Sequence, residues 1–162
     1  MEDRKLLIVL NMIPGIGPSR ALNVFDRFKK FSTFYKATPE EFKNIPDIGV
    51  KMQAALLKYR QEIDPMEEIS KAKKQGIEII TLVDDDYPLL LKQIYDPPPV
   101  LYILGDISVL YKNSVAIVGT RKASTYGRKA AFNFAKELAT ININVVSGMA
   151  RGVDSFAHKG AI

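Results

Sequence analysis

The 162-residue chain contains no cysteine, which excludes disulfides, thiol chemistry and Cys-ligated zinc. Its one histidine, His158, leaves no His-rich metal cluster to consider. No apolar run approaches the roughly 20 residues that span a bilayer. The opening stretch "MEDRKLLIVLNMIPG" has no small-residue cleavage site, so no secretory leader is expected. Neither G-x-G-x-x-G nor a P-loop signature occurs, and with them goes the usual cradle for a dinucleotide or a nucleoside triphosphate. Solenoid repeats and low-complexity tracts are absent too. These absences predict a soluble cytoplasmic protein without metal or cofactor.

What is present is the composition of an ordinary globular chain, 47% hydrophobic and 25% charged, enough for one medium domain or two small ones. The charge is unevenly placed. Residues 1–65 carry 11 basic and 8 acidic side chains, residues 66–111 carry 4 and 8, and residues 112–162 carry 8 and 2. The last third is therefore where an anionic partner is expected to dock.

The first 65 residues read as helices. In "GPSRALNVFDRF" Pro18 suits a first helical position, and Ala21, Leu22, Phe25 and Phe28 share a face. "TPEEF" is a capping box with Thr38 as N-cap and Glu41 at N3. Ile48, Met52, Ala55, Leu56, Tyr59 and Ile63 form one stripe, and "DPMEEISKAKKQG" opens a helix at Asp64 that stops at Gly76. Beyond Gly76 the pattern turns to strands at 77–82, 100–106, 114–119 and 144–148. A short helix in "YPLLLKQI" and a stiff "DPPP" connector lie between the first two, and a helix of about 14 residues between the last two. That last alternation predicts parallel strands joined by a right-handed crossover. The change from helical to α/β pattern falls at residues 64–76.

Two features carry chemistry. "IPGIGPSRA" (13–21) has the form of a helix-hairpin-helix turn. Gly15 and Gly17 leave the following helix start open to a phosphate, with Arg20 one turn on. "IPDIGVKMQAA" (45–55) repeats the form with Asp47 in place of Gly15; an acid there repels phosphate, so this copy reads as structural. The second feature is a pair of strand-to-helix loops. One offers Gly119, Thr120, Arg121, Lys122, Ser124 and Thr125; the other offers Ser147, Gly148, Arg151 and Gly152. In a parallel βαβ unit both emerge at the carboxyl edge of the sheet, where ligands of open α/β folds bind. Guanidinium groups, hydroxyls and helix starts together favour phosphate. Tyr126 and Phe156 are the aromatic residues near these loops, and Asp154 with His158 four residues on reads as a helix cap and a surface histidine.

The blocks "DYPLLLKQIYDPPPVLYILGD", "VAIVGTRKASTYG" and "VVSGMARGVDSFAHKGAI" together resemble the DprA/Smf (DNA-processing protein A) family, in the family's order and spacing. The resemblance implies an α/β chain. A small all-helical helix-hairpin-helix (SAM-like) domain, residues 1–65, precedes an incomplete Rossmann-like parallel-sheet domain, residues 66–162. It implies a non-enzymatic protein that binds incoming single-stranded DNA, protects it and loads RecA recombinase during natural transformation. By position, Gly119, Thr120, Arg121, Ser147, Gly148, Arg151 and Gly152 line the strand's pocket. The family core continues beyond this match, and its self-association surface and RecA contact are expected there. A homodimer is expected of the full-length family only. The rival enzyme reading is a nucleotide phosphoribohydrolase of the lysine-decarboxylase-like class; a third is a pure interaction module.

Overall fold

A computed structural model describes all residues, Met1–Ile162, as two compact units, Met1–Gly105 and Asp106–Ile162. The first unit is built around helix α1 (Glu2–Met12). Leu6 to Leu10 are all fully buried, so this helix is apolar on every side and is wrapped by its neighbours. Against it lie α2 (Pro18–Phe28), α3 (Phe31–Lys36), α4 (Val50–Glu62) and α5 (Pro65–Lys74). Phe28, Phe34 and Phe42 interlock with ring centroids 5.0–5.9 Å apart and fill the centre of one core. The guanidinium of Arg60 closes that core's edge, donating to the carbonyls of Phe34 (3.2 Å) and Ala37 (2.6 Å).

The local signals act as read. Pro18 opens α2, and the Thr38 amide and hydroxyl both donate to Glu41 at the start of a 3-10 turn, Pro39–Phe42. Asp64 accepts from the Met66 amide as the N-cap of α5, and Gly76 follows the helix at φ +69°. On α2, Val24 is buried while Leu22 and Phe25 are only half-buried.

Strands β1 (Ile77–Thr81) and β2 (Val100–Leu104) pair antiparallel, Ile77 opposite Leu104 through Thr81 opposite Val100. The 18 residues between them hold only the four-residue helix α6 (Leu89–Lys92) and the proline connector, too little for a crossover helix. Tyr87, 4% exposed, donates its hydroxyl to the Pro98 carbonyl (2.8 Å) and fixes that connector. The ribbon packs on α1 and α5 through Leu7, Ile8, Ala72, Ile79 and Val100. The compact units part at Gly105 and Asp106. The parallel sheet consists of the last two strands alone.

The second unit contains β3 (Ser114–Ala116), α7 (Thr125–Thr140), β4 (Asn144–Val146) and α8 (Val153–Ala161). β3 and β4 pair in parallel with Val115 opposite Val145, and α7 makes the crossover. The helices α7 and α8 touch at Gly160, where a β-carbon would stand 2.2 Å from the Phe132 carbonyl oxygen. No helix of the protein is long and apolar enough to cross a membrane.

Candidate nucleic-acid interface

Two loops, 117–124 and 147–152, form the carboxyl edge of the parallel pair. They are clipped together. The Ile117 amide donates to the Val146 carbonyl (3.0 Å), the Ser147 hydroxyl to the Ile117 carbonyl (2.7 Å) and the Val153 amide to the Thr120 carbonyl (3.3 Å). Gly152 sits at φ +86°, and a β-carbon on it would fall 2.2 Å from the Thr120 carbonyl oxygen. A β-carbon on Gly119 would fall 2.6 Å from the Val153 side chain. Both glycines thus serve the close approach of one loop to the other. The sequence could show that something comes close at these positions, but not that it is the neighbouring loop.

The charged groups of the edge are outside. Arg121, Lys122 and Arg151 are exposed, and so are Thr120 and Ser124. The Lys122 amide donates to the Thr120 hydroxyl oxygen (3.2 Å), and the Ser124 oxygen accepts from the Gly127 amide (3.1 Å) as the N-cap of α7. Both hydroxyls keep their hydrogens for an acceptor. Arg121, Lys122 and Arg151 are in no ion pair.

One donor set is already taken. Asp154, 5% exposed, accepts from the amides of Gly148 (3.1 Å) and Ala150 (3.4 Å) with one carboxylate oxygen. It does this beside Met149, which holds φ +56°. The amides of the loop before α8 are therefore taken by an internal anion, and Gly148 has no free amide to offer a phosphate. What remains at this loop is Arg151. His158 does not pair with Asp154, and its Nε2 is buried without a hydrogen-bond partner.

The helical hairpins show the repeat in detail. The Ile16 amide donates to Ile13 and the Ile48 amide to Ile45; Ala21 bonds back to Gly17 and Gln53 to Gly49. Gly15 at φ +82° and Asp47 at φ +61° take the same left-handed turn position. Arg20 donates to the Gly15 carbonyl (3.1 Å) and so braces its own turn. Asp47 and Asp96 line the same hollow as Gly17, Pro18, Ser19 and Arg20, and Ser19 donates to Asp96 (3.2 Å). The start of α2 thus faces two carboxylates.

Residues 78–162 match the family model described as DNA recombination-mediator protein A, and residues 7–58 match that of a SAM-like helix-hairpin-helix tandem. Protein Smf of Synechocystis is 28% identical over 165 residues, which covers 99% of this chain and 42% of that protein. DNA processing protein DprA of Bacillus subtilis is 40% identical over 91 residues, 56% of this chain and 31% of that one. The X-ray structure of DprA from Streptococcus pneumoniae superposes with a TM-score of 0.72 at 24% identity, over 99% of this chain and 54% of that chain, a likeness of fold. The chain spans less than half the length of the curated relatives it matches.

Proposed function

This chain belongs to the DNA recombination-mediator protein A family, and on that premise we propose that it binds single-stranded DNA by its phosphates at the joined loops of β3 and β4. The observation that carries the reading is the group of unpaired, exposed cations there, Arg121, Lys122 and Arg151, on loops clipped to each other by backbone hydrogen bonds. Thr120 and Ser124 add hydroxyl donors beside them. Gly119, Ser147, Gly148 and Gly152 act by building the edge. Contact at Gly15, Gly17 and Arg20 is secondary, because Asp47 and Asp96 oppose an anion there.

The wider role that follows is cytoplasmic and non-enzymatic: protection of an incoming strand and delivery of it to a RecA-type recombinase during natural transformation. Incubation with nucleoside monophosphates tests the rival hydrolase reading, and no free base is expected.

The direct test is binding of a short oligonucleotide between 50 and 200 mM salt. Affinity should fall with a slope of about 0.7 per phosphate contacted. Arg121→Ala and Arg151→Ala should each cost about 1.5–3 kcal/mol, and the double variant less than the two losses added, since one strand bridges both. Gly15→Glu should weaken binding less than Arg121→Glu. A salt-independent affinity, or a strong preference for one base, would sink the reading.

A further inference from the structure

Beside the edge, α7 and α8 bring two more cations to one aromatic ring. Arg128, in the second turn of α7, has its guanidinium carbon 5.7 Å from the centre of the Phe156 ring. Lys159 of α8 has its ammonium 5.2 Å from the same centre. The two charges are therefore separated by no more than the sum of those distances. Neither has an acidic partner, although like charges gathered at one place repel. The ring quadrupole attracts each of them and sets their positions. A further bond fixes Arg128: its Nε donates to the carbonyl of Ala123, in the first basic loop (3.0 Å). Phe156, half-buried, is engaged by these cations and is not a free platform for a base, whereas Tyr126 is 83% exposed.

We propose that Arg128 and Lys159, mounted on Phe156, form a second phosphate-contacting pair that continues the single-strand path from the Arg121 loop onto the faces of α7 and α8. This rests on the single-strand reading of the edge and lengthens the footprint it predicts. Its ligand is the phosphodiester backbone, with no demand on base identity.

The test is the salt dependence of oligonucleotide binding by the whole chain. Arg128→Gln with Lys159→Gln should lower the slope by about 1.4, at about 0.7 per lost phosphate contact. Across 50–200 mM salt the gap between parent and variant should therefore narrow by about sevenfold. Phe156→Leu keeps an apolar side chain and removes the ring; it should lower the slope in the parent and change nothing further in the double variant. Lys159→Gln alone touches no backbone bond and is the variant to read if the double one melts early. An oligonucleotide too short to reach beyond the loops should bind parent and variants alike. An unchanged slope in the variants, with Arg121→Ala still weakening binding, overturns this pair and leaves the proposed function standing. A parent that does not bind the oligonucleotide at all overturns both.

Discussion

Asp154 is the residue on which the second loop depends. Its buried carboxylate receives the amides of Gly148 and Ala150 from the preceding loop, next to a methionine in the left-handed region. Asp154→Ala removes two hydrogen bonds to a charged acceptor, a cost of about 1.5–3 kcal/mol. Urea unfolding should show that loss, and oligonucleotide affinity should fall because Arg151 is no longer held. Asp154→Asn keeps an acceptor oxygen and should bind within a few-fold of the parent. Equal binding by the alanine variant would remove Asp154 from the argument. The arginines of the edge were legible because a charge between a strand and a helix start has few structural uses. Asp154 was not, since it reads as a cap of its own helix, whereas Gly152 is the N-cap of α8 and the Asp154 carboxylate takes amides of the loop before it. Which amides it meets is decided by how the preceding loop doubles back. The same holds for Arg128 and Lys159, which stand 31 positions apart and share a ring only once α7 and α8 have crossed at Gly160.

Caps, stops and crossover were plain at the level of elements, because each depends on neighbours within four residues or on a strand–helix–strand alternation. The pairing of β1 with β2 was not, since an apolar run of five residues carries no mark of its partner's direction. Partial desolvation on that ribbon has a consequence at Tyr102 on β2, although 42% of the side chain stays exposed. Desolvation, followed by a bond with Glu68, raises its phenol to about 12 from an ordinary value of 10. A raised acid favours the folded state while it remains protonated. Its contribution is whole below pH 10 and disappears as the pH climbs through 12. Urea titrations of the parent at pH 9 and pH 11.5 should show a loss of stability that Tyr102→Phe reduces, buried Tyr87, also raised by desolvation, supplying part of the rest. An equal loss in the phenylalanine variant would assign the effect to other groups.

Across the whole molecule the two units are unequally built. The first buries Phe28, Phe34, Phe42 and a run of leucines and isoleucines. In residues 106–162 the buried apolar side chains are alanines, Ala123, Ala131, Ala135 and Ala157, while Phe134, Ile141 and Val118 are each more than 60% exposed. Since stabilisation follows the apolar area removed from water, the second unit should open first. Amide exchange should be faster in α7 and α8 than in α1, and an oligonucleotide should slow it there, because a ligand that binds only the folded form stabilises it by mass action. Uniform protection across both units would contradict this. The lopsided distribution of charge adds a practical conflict. With its cations in excess, the second unit repels itself most in dilute buffer, which is also where a polyanion should bind it hardest. Added salt relieves the one and weakens the other, so free protein and bound protein should have different preferred ionic strengths. A nucleic acid bound there would then act as the unit's missing counterion.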